Sequence, residues 1–133
     1  MNDTIDFAIN TVLEHGVGIE ITYQRPSFQS CAVVQHNLVI INPNANDRPL
    51  LPFVILHELG HVVLGHHDLG CVSPSAKIKQ EHEADAFATK LIWSYSRRLD
   101  VSYNSVYDFM SSFGVPSKMF ETVINLMKTQ ILS

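Results

Sequence analysis

The sequence predicts an α+β fold: an N-terminal helix, a small three-stranded antiparallel sheet, and four further helices. Three observations predict it. Apolar residues recur at helical spacing before residue 15, at short β-branched runs between residues 18 and 42, and again at helical spacing beyond residue 50. Within 133 residues, 46% hydrophobic and 17% charged, there is no low-complexity tract or long charge block. That length and balance suit one folded domain over residues 1–133.

Ile5, Ile9, Val12 and Leu13 place a first helix over Asp3 to Glu14, with Asn2 or Asp3 as its cap and Gly16 past its end. GIEITY, SCAVVQ and LVIIN then read as strands of a meander, separated by RPSF and by His36-Asn37. NPNANDRP is a loop by composition, and Pro49 or Pro52 suits the first turn of a helix running from about Leu51 to Gly65. After a loop from His66 to Ser75, AKIKQEHEADAFATKLIWSYSRR forms the longest helix. SVYDFMSSF and SKMFETVINLMKTQIL make the last two, parted by Gly114-Val115-Pro116, and their Phe109, Met110, Phe113, Met119, Phe120, Val123, Leu126 and Met127 are read as core.

Chemistry concentrates in HELGHVVLGHHDLG, residues 57 to 70. On a helix His57 and His61 project from one face a turn apart, which suits two ligands of one tetrahedral ion. The surrounding Phe53, Val54, Ile55, Leu56, Leu59, Val62, Val63 and Leu64 are apolar nearly all round, so the helix is expected to be buried and its imidazoles to need partners. Glu58, about 100° round the helix, is placed to serve as general base without ligating the ion.

Two places offer a third ligand. His67 lies six residues after His61, as in the metzincin pattern, but the helix-breaking glycine is one place late: residue 64 is Leu64 and the glycine is Gly65. His66 and His67 then read as a solvated pair at a helix end, favourable to its dipole. The second place is EHEADAFA, residues 81 to 88. On a helical wheel with Glu81 at the origin, Asp85, Ala88, Ile92 and Ala84 all fall on the same side, an inward stripe of small and apolar residues carrying two acids. Glu83 falls on the opposite side with Lys79, Lys90 and Arg97, on a solvated charged face. Glu81 is therefore the expected third zinc ligand and Asp85 the acceptor for a ligating histidine. Three protein ligands leave zinc an open position for water, and the expected reaction is peptide hydrolysis. For the oxyanion, His36, His82, Tyr23 and Tyr95 stand as candidate donors.

HELGHVVLGH followed by EHEADAFATKLI resembles the ImmA/IrrE family of gluzincin metallo-endopeptidases, over about residues 50 to 95. FGVPSKMFETVINLM is similar to that family's terminal helical segment. The resemblance implies a cytosolic zinc endopeptidase of bacterial, phage or mobile-element origin that cleaves a helix-turn-helix repressor. It gives His57, His61 and Glu81 as zinc ligands, Glu58 as catalytic and Asp85 as their support. The rival reading is a non-catalytic antirepressor whose zinc is structural, with Cys71 or His67 as the fourth ligand.

Composition narrows the alternatives. A net charge of −4 and a pI near 5.9 give no basic footprint, so direct nucleic-acid binding is not expected. No stretch reaches the roughly 18 apolar residues of a membrane span, and MNDTIDFAIN lacks the basic start of a signal peptide, so a cytoplasmic protein is expected. Cys31 and Cys71 then read as free, partly buried thiols.

Overall fold

The computed structural model describes residues 3–66, 72–99 and 105–132, with side chains through residue 129. Eight elements follow in order: α1 (Asp3–Glu14), β1 (Gly18–Ile21), β2 (Cys31–Val33), β3 (Leu38–Ile41), α2 (Leu51–Val63), α3 (Pro74–Arg98), α4 (Val106–Phe113) and α5 (Phe120–Leu132), with short 3₁₀ turns between some of them. This is the predicted α+β class, with five α-helices and one three-stranded sheet among the described residues.

The sheet is mixed, which corrects the expectation of an antiparallel meander. Its order is β1-β3-β2, with β1 parallel to β3 and β2 antiparallel to it. The cause lies beyond the end of β3. Asn42 is buried; its side chain accepts from Gln24 N–H and donates to the carbonyls of Arg25 and Phe28, and its backbone N–H donates to Ser30 Oγ. The chain leaving β1 is thereby held across the end of β3 and returns as β2 on the far side. LVII, the most apolar run, takes the centre, with Val39 and Ile41 buried, while β1 and β2 are edges. Asn37 makes the turn into β3 in the left-handed region at φ 54° and donates to the Gly16 carbonyl.

Helix α2 is central, packing on α1, β2, β3 and above all α3. Phe53, Ile55, Leu56 and Leu59 are buried, as its all-round hydrophobicity predicts, but Val63 and Leu64 at its end are exposed. Small residues permit the close approach of α3: a Cβ on Gly60 would stand 3.2 Å from Ala84 Cα, and Ala84 and Ala88 are fully buried. Pro52 occupies the first turn of α2, and Ser73 caps α3 by accepting from Ala76 N–H. In α1, Ala8, Thr11 and Val12 face the core while Leu13, included in the helical pattern, is exposed.

Phe109, Met110, Phe113, Met119 and Val123 are buried, and Phe120 and Met127 pack against them. Gly114 ends α4 at φ 66°, and its Cα lies so near Pro49 that an added Cβ would fall 2.0 Å from that carbonyl oxygen. The turn between α4 and α5 is thus pressed against the entrance to α2. No helix among the described residues is long and apolar enough to cross a membrane.

Candidate metal centre

Helices α2 and α3 bring His57, His61 and Glu81 together, one ligand atom of each lying within 4.8 Å of the others. Nε2 of His61 is 2.7 Å from Glu81 Oε1, Nε2 of His57 is 3.6 Å from Glu81 Oε2, and the two Nε2 atoms are 3.2 Å apart. On the other side of the first ring, His57 Nδ1 donates to Asp85 Oδ1 at 2.7 Å. That bond places the ring proton on Nδ1 and leaves the Nε2 lone pair facing the cluster. Lys118, from the turn before α5, meets Asp85 Oδ2 at 2.9 Å.

The donor set fits a divalent cation. Two imidazole nitrogens and a carboxylate oxygen converge at separations where lone pairs repel unless a positive charge lies among them. Glu81 Oε1 is moreover buried without a well-directed hydrogen bond, although it lies close to His61. The group could hold a metal ion, and its imidazole and carboxylate ligands suit a divalent transition metal.

The same convergence of acceptors favours a proton on His57. Burial pulls the His57 ring toward neutrality, but the hydrogen bond to Asp85 and the facing Glu81 carboxylate outweigh it and raise the pKa from 6.5 to about 9. The same two histidines hold the Glu81 carboxyl far below the usual carboxylate range, against its burial. Burial also opposes ionisation of Asp85, and hydrogen bonds from His57 and Lys118 again prevail, holding it low. Glu58 goes the other way. Burial raises its pKa from 4.5 to about 7, opposed by His57 and His61 and reinforced by the charges of Glu81 and Asp85. Among the described residues its carboxylate has no hydrogen bond or ion pair, and it lines the cleft beside His57 and His61.

That cleft, of about 670 Å³, is bounded by residues 29–35 on the sheet side and by Phe53, Val54 and Lys118 elsewhere. Edge strand β2 forms one wall, and its Cys31 is a free thiol, as expected, on a residue that is exposed overall. Burial and the neighbouring Glu58 push that thiol's pKa up. His36, His82, Tyr23 and Tyr95 do not line this cleft; Tyr95 stacks on Phe7 at 4.2 Å on another face. His67 and Cys71 lie outside the described residues.

Besides Lys118, two partners were not foreseen from the sequence. His66, expected to be solvated, is buried with its Nδ1 2.8 Å from His61 Nδ1, and its Nε2 donates to Glu83 Oε1 at 2.9 Å. Glu83, expected on a solvated charged face, therefore has a specific partner from another segment. The signal was Gly65. At φ 67° it ends α2 in a Schellman turn, with His66 N–H on the His61 carbonyl and Gly65 N–H on that of Val62. That motif brings the residue after the glycine onto the one five places earlier, here one imidazole onto another.

Residues 50–108 match the family model described as Peptidase U49, which supports a peptidase and spans the candidate centre on both helices. Neither a curated protein nor a solved structure matches the chain.

Proposed function

We propose that this chain is a zinc-dependent endopeptidase in which His57, His61 and Glu81 bind the metal and Glu58 is the general base. The observation that carries the reading is the convergence of those three ligand atoms beside an unpartnered carboxylate in an open cleft. Zinc, when bound, supplies a Lewis acid that acidifies water and polarises the peptide carbonyl.

The chain's own residues do the rest. Glu58, a buried carboxylate at the cleft beside His57 and His61, takes a proton from the attacking water and delivers it to the departing amine. Asp85 holds the His57 ring with Nε2 forward, and Lys118 keeps Asp85 ionised. Phe53, Val54, Ala32, Val33 and Val34 give the scissile segment an apolar bed. An extended peptide can pair with the free edge of β2, which sets the backbone of the substrate alongside His57 and Glu58.

The resemblance to ImmA/IrrE peptidases extends the proposal to a helix-turn-helix repressor as the substrate and to the cytoplasm as the place of action. The test is incubation of the zinc-loaded chain with such regulators and with a labelled unfolded protein, comparing wild type with Glu58→Gln. Wild type is expected to cut, and the variant to lose about 10²- to 10⁴-fold in rate while retaining zinc. Equal cutting by both would overturn the role of Glu58. Zinc held with no cutting of any substrate would favour the non-catalytic binding module.

A further inference from the structure

We infer that His66 and Glu83 are positioning residues for the candidate metal centre, orienting His61 as Asp85 orients His57. The inference rests on the metal-binding reading above and adds a second support that the Glu81/Asp85 pair does not contain.

The geometry admits one consistent direction of protons. His61 turns Nε2 toward His57 and Glu81, so a metal-binding ring carries its proton on Nδ1. That proton has an acceptor 2.8 Å away, His66 Nδ1. A ring accepting at Nδ1 keeps its own proton on Nε2 when neutral, and there Glu83 Oε1 accepts at 2.9 Å. The chain of hydrogen bonds thus runs from His61 through His66 to a carboxylate. Both ligating rings are backed by an acid, one directly and one through an imidazole.

His66 is buried whereas the Glu83 side chain is 43% exposed, so the relay ends at solvent. The Schellman turn explains how His66 arrives; it does not explain its chemistry. In that motif a hydrophobic contact commonly joins the residue after the glycine to the third-last of the helix. Here the position holds a polar ring whose two nitrogens both have partners. Glu83 lies two residues beyond Glu81 on α3, so the segment that supplies a proposed ligand also anchors the second relay. Glu83 is not among the three residues whose ligand atoms converge.

The test uses the full chain and Zn²⁺ in competition with a chromophoric chelator, together with ¹⁵N spectra of labelled histidines at one fixed pH. His66→Ala is expected to weaken zinc binding by roughly 10- to 100-fold, and Glu83→Ala by a smaller factor of about 3 to 10. Glu83→Gln, which keeps an acceptor for His66 Nε2–H, is expected to remain within about threefold of wild type. In wild type the spectra should show His61 protonated at Nδ1 and His66 at Nε2. Should His66→Ala fail to fold, the half-exposed Glu83 variants decide. His66→Ala and Glu83→Ala binding zinc as tightly as wild type would overturn the relay and leave the metal site standing. Wild type binding no zinc would sink both together.

Discussion

Zinc entering this centre has to displace a proton from His57, and that displacement gives the apparent affinity a measurable dependence on pH. An ordinary imidazole with a pKa near 6.5 is largely neutral at pH 7, so raising the pH to 9 would improve affinity only about 1.3-fold. In this chain burial disfavours the imidazolium, but the 2.7 Å bond to Asp85 and the facing Glu81 lift its pKa to about 9. About 99% of molecules would then carry the proton at pH 7 and half at pH 9, so affinity should rise about 50-fold between them. Glu81, held far below the usual carboxylate range, adds nothing to that window. Chelator competition at constant ionic strength from pH 7 to 9 reads the slope. Asp85→Ala removes the hydrogen bond that raises the pKa most and should flatten the rise to less than about tenfold. A wild-type profile flat within threefold would refute the reasoning. The linked stability has a definite sign: a raised folded-state pKa stabilises the metal-free fold fully below pH 6.5, and the contribution disappears as pH climbs through about 9.

Two further outcomes follow from the same structure. Glu58 is raised from 4.5 to about 7 chiefly by burial, so its contribution to folding is present below pH 4.5 and gone above 7. At pH 8 the metal-free Glu58→Gln variant should therefore be more stable in urea by about 1 to 3 kcal/mol, and a less stable variant would contradict the burial of a strained carboxylate. Gly114→Ala combines a left-handed backbone with a Cβ driven to 2.0 Å from the Pro49 carbonyl, and should cost about 3 kcal/mol or more in denaturant unfolding. A loss below about 1 kcal/mol would show that the turn does not press on the entrance to α2.

Much of this is legible in residue order because the informative features are local. Helical spacing puts His57 and His61 on one face, and the angular positions of Glu81, Asp85, Ala84 and Ala88 identify the side of α3 that packs on α2. The sheet order is not legible in the same way, because strand period reports which residues form strands and not which strands adjoin. The order β1-β3-β2 depends on Asn42, whose side chain gathers a loop that lies up to 18 residues away. Glu83 escapes for a related reason: its angle on α3 sets it apart from Glu81, but His66 reaches it from the end of another helix. Lys118 could not be anticipated, since its contact with Asp85 depends on how the turn before α5 packs against α3.

The most direct test of the central claim is the absorption spectrum of the cobalt(II)-substituted chain, read beside its His57→Ala, His61→Ala and Glu81→Ala variants. Two imidazoles, one carboxylate and an exchangeable solvent position predict visible d–d bands that shift on adding a small inhibitory anion. They also predict no sulfur charge-transfer band, and loss or marked weakening of cobalt binding in each variant. A thiolate band, a spectrum indifferent to added anions, or full binding by Glu81→Ala would contradict an open site built from α2 and α3.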